Sequence, residues 1–213
     1  MNRGTVLMMA GGTGGHVFPA LAVAGELKQS GFAIEWLGSQ RGIENTLVPE
    51  FGYPLNTLAV SGLRGGGLLR KLAAPLMFLR TVLDARSLIK RIGPVLTVGF
   101  GGYASGPGGL AARLMGVPLV LHEQNARPGL TNRILARMAN RVLQAFPGAI
   151  EGAEVVGNPV RSDIASLPEP QQRMADRSGP LRVLVLGGSQ GALALNCDLP
   201  GALAACLARN PVA

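Results

Sequence analysis

The apolar run Thr5 to Ala10 leads straight into Gly11-Gly12-Thr13-Gly14-Gly15. A strand with no polar alternation must be covered on both faces, which is the situation of a strand inside a parallel sheet. Behind the glycine loop, Pro19 near a first turn and Gly31 past the end mark out a helix. The same order of apolar run, loop and helix then repeats along the chain. Ala33 to Leu37, Thr57 to Val60, Val95 to Val98, Pro118 to Leu121, Val142 to Gln144 and Glu154 to Val156 read as strands. Leu68 to Arg91 reads as one long helix, bent at Pro75, with further helices at Leu110 to Met115 and Thr131 to Ala139. Strands alternating with helices predict an α/β fold, a Rossmann-like parallel sheet with helices on both faces.

The grammar breaks once. Residues 164–180, most polar from Ser166 to Gly179, read as a linker between a first domain over 1–163 and the beginning of a second over 181–213. There Arg182 to Leu186 leads into Gly187-Gly188-Ser189-Gln190-Gly191 and an Ala/Leu-rich helix, echoing the amino-terminal pattern. One strand and one helix cannot bury a core, so the expectation is that a second similar domain is only begun here.

The formal charge of +8 points to an anionic partner: nucleic acid, anionic lipid or a phosphorylated small molecule. Aromatic residues make up 4% of the chain, too few for a base-stacking surface, and no nucleic-acid motif accompanies the charge. Nucleic acid is therefore not expected as a partner. Cys197 and Cys206 have no metal-ligand spacing around them, so neither a zinc site nor a disulfide framework is expected. No D-x-D pair is present, and no metal or tightly bound cofactor is expected.

Glycine loops at the carboxyl ends of parallel strands place bare backbone N–H groups at helix N-termini, where phosphate binds. The first loop is not a P-loop, because no Lys-Ser or Lys-Thr pair follows it. The dinucleotide spacing does not fit either, since the sixth position counted from Gly12 is Val17. Ser39-Gln40-Arg41 also stands where an acid would follow the second strand, which disfavours a nicotinamide enzyme. His16 closes the loop, where a helix N-terminus keeps imidazole neutral and able to take a proton. A second polar cluster, His122-Glu123-Gln124-Asn125, follows a later strand.

Between Gly62 and Arg91 seven cations, Arg70, Lys71 and Arg80 among them, face a single acid, Asp84. Leu69, Leu72, Leu76, Leu79 and Leu83 recur at helical spacing, as the core face of a helix with a solvated basic back would. Leu68, Met77, Phe78 and Val82 widen the apolar surface beyond one stripe. Apolar surface beside cations also suits a helix lying on an anionic membrane, and both readings stand.

The segments Gly11 to Ala24, Ser61 to Gly65, Gly101 to Ala112, Leu121 to Asn132, Val155 to Arg161 and Leu186 to Ala192 together resemble the MurG family, in the same order along the chain. These are bacterial transferases that make lipid II for peptidoglycan. The resemblance implies a two-domain GT-B glycosyltransferase, peripheral on the cytoplasmic face of the inner membrane. It implies transfer of N-acetylglucosamine (GlcNAc) from UDP-GlcNAc to the C4 hydroxyl of the muramoyl sugar of lipid I, with inversion to a β-1,4 link. His16 matches the family's general base. Thr13, Gly14, Gly15, Asn125, Arg161 and Ser189 match positions around the sugar nucleotide. Gly14, Gly15, Gly101, Gly102, Tyr103 and Ser105 match loops that hold the acceptor diphosphate. Leu72, Leu76, Leu79 and Val82 with Arg70, Lys71 and Arg80 match the membrane-facing patch. The alternative is a module that grips a lipid diphosphate at a membrane surface without catalysis. Cys197 stands where the family more often has Gln.

Overall fold

The computed structural model describes residues 3–60, 68–180, 182–187 and 192–209, without the side chains of 68–72 and 209. The segment 61–65, the side chains of Arg70, Lys71 and Leu72, and Ser189 lie outside the described residues. Two compact units are present, Met1–Leu167 and Pro168–Ala213.

The first unit is built on seven strands: β1 (Thr5–Ala10), β2 (Ala33–Ser39), β3 (Leu55–Leu58), β4 (Leu96–Gly101), β5 (Leu119–Glu123), β6 (Arg141–Gln144) and β7 (Glu154–Val155). They form one sheet in the order β3-β2-β1-β4-β5-β6-β7. Every described pairing is parallel. Alternate residues of β1 explain its uninterrupted apolar sequence. Val6, Met8 and Ala10 pack in one core with Trp36, Phe100 and the inner face of α1 (Gly14–Gln29). Leu7 and Met9 face the other core, with Val82, Ala85 and Ile89 of α3 (Leu68–Ile92) and Ala111 and Ala112 of α4 (Ser105–Leu114). The strand order reverses between β1 and β4, so their connections leave in opposite directions and open a crevice at the strands' carboxyl ends.

Several elements depart from expectation. Helix α4 begins at Ser105, five residues before the expected Leu110, because Gly108 and Gly109 are packing positions rather than loop. A β-carbon at Gly108 would stand 2.6 Å from Leu37 Cδ2, and one at Gly109 would stand 2.8 Å from Leu135 Cδ1. Helix α2 (Glu44–Glu50) was not anticipated, since its seven residues hold Pro49 and only two aliphatic side chains. Helix α5 ends at Leu135, short of the expected Ala139.

In α3 the leucine stripe is not the core face. Leu76, Leu79 and Leu83 are exposed, whereas Val82 is 5% exposed and packs inward with Ala85 and Ile89. Val82 therefore does not belong to a membrane patch. Spacing identified an apolar face, but the stripe of smaller and β-branched residues fits closer to the sheet.

Arg161 begins α6 (Ser162–Ala165) at the end of the first unit. In the second unit α7 (Pro170–Met174) falls within the stretch read as a linker. The expected strand Arg182–Leu186 is not formed: residues 182–187 have no regular structure, and Val183, Leu184, Val185 and Leu186 are exposed. A strand needs a hydrogen-bonded neighbour and an apolar cover, and no described residue of that unit supplies either. Helix α8 (Leu193–Arg209) follows. Among the described residues no helix is long and apolar enough to cross a membrane.

Candidate functional site

The crevice is assembled from loop ends that touch. Gly101 and Gly102, at the end of β4, have φ of +110° and +93°. This left-handed backbone lets them approach the first glycine loop without a β-carbon. A β-carbon on Gly101 would stand 2.9 Å from His16 Nε2 and 3.5 Å from Asn132 Nδ2, and one on Gly102 would overlap the Gly11 carbonyl. Trp36 Nε1 donates to the Ala10 carbonyl at 2.9 Å and ties the end of β1 to β2. Thus His16, Asn132 and both glycine loops share one small space.

Thr13 is the N-cap of α1, in extended conformation, yet its hydroxyl caps no backbone N–H. Its Oγ1 lies instead 3.4 Å from His16 Nδ1. The first turn of α1 holds no acid, and no described group accepts from the Gly14 or Gly15 N–H. The N-terminus of α4 has the same character, with Ala104 as N-cap and no acid in its first turn. Both helix N-termini lack a side-chain cap, but only that of α1, with Gly15 exposed, is open to an anion, since Ala104 and Ser105 of α4 are buried.

His16 has its pKa lowered from the ordinary histidine value, chiefly because burial penalises the charged ring. Glu123, the Gly11 carbonyl and Glu44 oppose that shift without cancelling it. At neutral pH the ring is neutral and carries one lone pair. Where Nδ1–H donates to Thr13 Oγ1, the lone pair is on Nε2, beside Gly101.

Glu123, at the end of β5 and 1% exposed, is the hub of the second polar cluster. It accepts from the Asn125 N–H (2.9 Å), Asn125 Nδ2 (3.0 Å), the Gly129 N–H (3.3 Å) and Asn132 Nδ2 (3.0 Å). Asn125 is thereby held with Oδ1 as the side-chain atom left for a ligand. His122 faces the Gly157 carbonyl through Nε2 at 2.9 Å, while Gln124 Nε2 lies 3.1 Å from its Nδ1. Burial lowers the His122 pKa, and the neutral Nε2–H tautomer satisfies both contacts. This links the cluster to the segment that leads to Arg161. Gln124 Oε1 and Asn132 Oδ1 are buried with no partner among the described residues. Such acceptors are filled by water or by a ligand donor.

The Arg161 guanidinium lies 5.3 Å from the centre of the Phe18 ring and 3.3 Å from Asp163 Oδ2. A β-carbon on Gly14 would stand 3.2 Å from the same ring. Phe18 thus spaces Arg161 from the start of α1. Tyr103 is exposed at the mouth of the crevice. Ser105 differs from expectation. Its hydroxyl is fully buried, 2.8 Å from the Met9 carbonyl and 2.7 Å from the Gly101 carbonyl, so it braces β1 against β4. Its backbone is buried as well, so Ser105 supports the loop from beneath rather than meeting a ligand.

Sequence reasoning missed Glu44, Asn132 and Phe18. The acid sought directly after β2 is present a few residues later as Glu44, which turns back to the glycine loop. Asn132 and Phe18 carry no local signal, since their roles come from other elements. A separate groove of about 720 Å³ lies at the start of β6, between Arg133, Arg137 and Arg141 and away from the crevice. Arg141 there is paired with Glu154 at 2.9 Å.

Residues 6–144 match the glycosyltransferase family 28 N-terminal domain. The chain belongs to glycosyltransferase family 28. Relatives named UDP-N-acetylglucosamine–N-acetylmuramyl-(pentapeptide) pyrophosphoryl-undecaprenol N-acetylglucosamine transferase agree along nearly all of it. The one from Alcanivorax borkumensis is 61% identical over 209 residues, covering 97% of this chain and 58% of the relative. The one from Pectobacterium carotovorum is 55% identical over 199 residues, covering 93% and 55%. Acinetobacter baumannii MurG superposes with a TM-score of 0.77 at 44% identity, over 94% of this chain and 57% of that one. The chain therefore spans somewhat more than half the length of these family 28 relatives. A UDP-GlcNAc 2-epimerase from Neisseria meningitidis, 12% identical with a TM-score of 0.53 over 75% of this chain and 47% of that one, shares the fold alone.

Proposed function

We propose that the protein acts in the transfer of GlcNAc from UDP-GlcNAc to the C4 hydroxyl of the muramoyl sugar of lipid I, giving lipid II. The observation that carries this reading is the neutral, half-buried His16 set between two uncapped helix N-termini at the β1/β4 crevice. Membership of family 28 and the printed activity of the relatives support it. His16 removes the proton of the C4 hydroxyl as that oxygen attacks the anomeric carbon. The bond from that carbon to the diphosphate oxygen breaks, and UDP leaves with the electron pair from the opposite face. The configuration inverts, and no covalent enzyme intermediate is needed. Arg161 meets the charge that grows on the leaving diphosphate. The N–H groups of Gly14, Gly15 and Gly102 hold the acceptor diphosphate, with Tyr103 at the mouth. Thr13 and Asn125 Oδ1 contact the sugar nucleotide.

The exposed half of α3 supports attachment to the cytoplasmic face of the bacterial membrane. Leu76 (72% exposed), Met77, Phe78, Leu79 and Leu83 stand in water, with Arg80 exposed among them. Apolar side chains flanked by cations enter the headgroup boundary of anionic bilayers.

The test is transfer of labelled GlcNAc from UDP-GlcNAc to a soluble lipid I analogue. A β-1,4-linked disaccharide product is expected. An α-linked product would contradict the mechanism, and failure of the analogue to bind would contradict the acceptor site.

A further inference from the structure

Glu44 is fully buried, yet it carries a carboxylate into the floor of the crevice. Its Oε2 accepts the Gly12 N–H at 2.9 Å, and its Oε1 accepts the Ser39 N–H at 3.0 Å. The Ser39 hydroxyl lies 2.7 Å from Oε1 and 2.7 Å from the Arg41 carbonyl, so its single hydrogen serves one of them at a time. The seat is shaped for this side chain, because a β-carbon at Gly11, Gly38 or Gly42 would overlap it. Those glycines come from the β1 loop, from β2 and from the loop before α2. Asn45 Nδ2 secures that last loop on the Ser39 and Gly42 carbonyls, at 3.0 and 3.2 Å. Gly12 itself has φ +88°, a conformation that exposes its N–H to the carboxylate.

We propose that Glu44 is a positioning residue of the transfer site, an internal anion that occupies the Gly12 N–H and fixes the glycine loop so that Gly14, Gly15 and His16 face the substrates. This rests on reading the crevice as the transfer site. The occupied amide has two consequences. A substrate diphosphate is excluded from the Gly12 position and is directed to the open first turn of α1. The carboxylate also acts on His16 across the loop. The groups that face the His16 ring are Glu123 from β5, Glu44 from α2, Thr13 and the Gly11 carbonyl from its own loop, and Asn132 from α5. Both acids favour the protonated ring, so removing either charge lowers the pH at which His16 gains its proton.

Glu44→Gln keeps the size and removes the charge. Whichever way the new amide turns, one of the Gly12 and Ser39 N–H groups faces another donor. The chain has only two histidines, His16 and His122, so ring nitrogen NMR resolves both in the labelled 213-residue chain. In the variant we expect a lower His16 pKa, an unmoved His122 pKa, and Gly12 amide exchange faster by roughly tenfold or more. In transfer, kcat falls by about tenfold to a hundredfold while the acceptor KM changes less, and Glu44→Asp, whose shorter arm cannot reach, does not restore it. Unchanged His16 titration together with unchanged Gly12 exchange would overturn the proposal. Should the variant fail to fold, the unmodified chain still decides. A hydrogen-bond scalar coupling between the Gly12 nitrogen and the Glu44 carboxyl carbon is expected, and its absence overturns the proposal. The NMR readouts need no transferase activity, so failure of the transfer reading would show separately, as wild-type turnover by His16→Ala.

Discussion

The crevice and the amino-terminal half of α3 each invert the usual rule of burial. In the crevice, polar groups are inside: Glu44, Glu123, Gln124, Asn132 and His122 are each at most 5% exposed. On α3, large apolar groups are outside: Leu76, Met77, Phe78 and Leu79 are each at least 44% exposed. Both arrangements cost stability, since buried polar atoms need partners and exposed apolar ones lose the gain of burial. The crevice recovers most of that cost through internal hydrogen bonds, so its geometry is set before substrate arrives. The α3 surface recovers nothing within the described residues. Substitutions should follow this division: crevice changes alter chemistry and folding, and α3 changes alter association.

The largest effect is expected from His16→Ala, which removes the base and should lower kcat by roughly a hundredfold or more in the transfer assay. Turnover at the wild-type rate would show that another group takes the proton.

Next comes Glu123→Ala. It deprives donors on Asn125, Gly129 and Asn132 of their acceptor. Each buried group left unsatisfied costs about 1–3 kcal/mol, so urea unfolding should show a loss of about 3 kcal/mol. A loss well under 1 kcal/mol would mean that these bonds do not organise the loop.

The pH dependence is smaller and has a definite sign. His16 and His122 both have their pKa lowered by burial. As pH falls below about 6.5, the unfolded chain binds protons that the folded chain resists, so stability declines through and below that value. Activity should decline only further down, below the ordinary histidine value, where the folded His16 ring takes up its proton and cannot act as a base. Urea midpoints at pH 7.5 and 5.5 test the first statement, and a midpoint that rises on acidification would refute it.

The changes on α3 should be the mildest for the fold. Leu76→Ser with Leu79→Ser should weaken sedimentation with anionic vesicles about tenfold. Arg80→Gln alone should cost about 1 kcal/mol of that binding and lose its effect at high salt. Stability in urea should stay within about 0.5 kcal/mol of the parent in both cases. A strongly destabilised Leu76/Leu79 variant would return these leucines to the core.

What could be read from the sequence follows the same division. The strands β1, β2 and β4 were legible because a sheet covered on both sides needs largely apolar runs, uninterrupted in β1 after Thr5 and broken only by Glu35 between Ala33 and Leu37 in β2. The first glycine loop, Thr13 and His16 were legible because they adjoin in sequence. Glu44 was not, because its partner Gly12 lies 32 residues away and only the β1–β2 pairing brings them together. The start of α4 was hidden because Gly108 and Gly109, which usually disfavour helices, here let the helix press on the sheet. In α3 the spacing showed a stripe, but periodicity does not say which of two apolar faces meets the sheet.

The central claim is that the β1/β4 crevice holds the acceptor diphosphate beside His16. Titrating the nitrogen-labelled chain with a soluble, short-prenyl lipid I analogue tests it most directly. Shifts should concentrate at the Gly14, Gly15, Gly101 and Gly102 amides and at the His16 ring. A silent crevice, with shifts gathered instead around Arg133 and Arg137, would contradict the account.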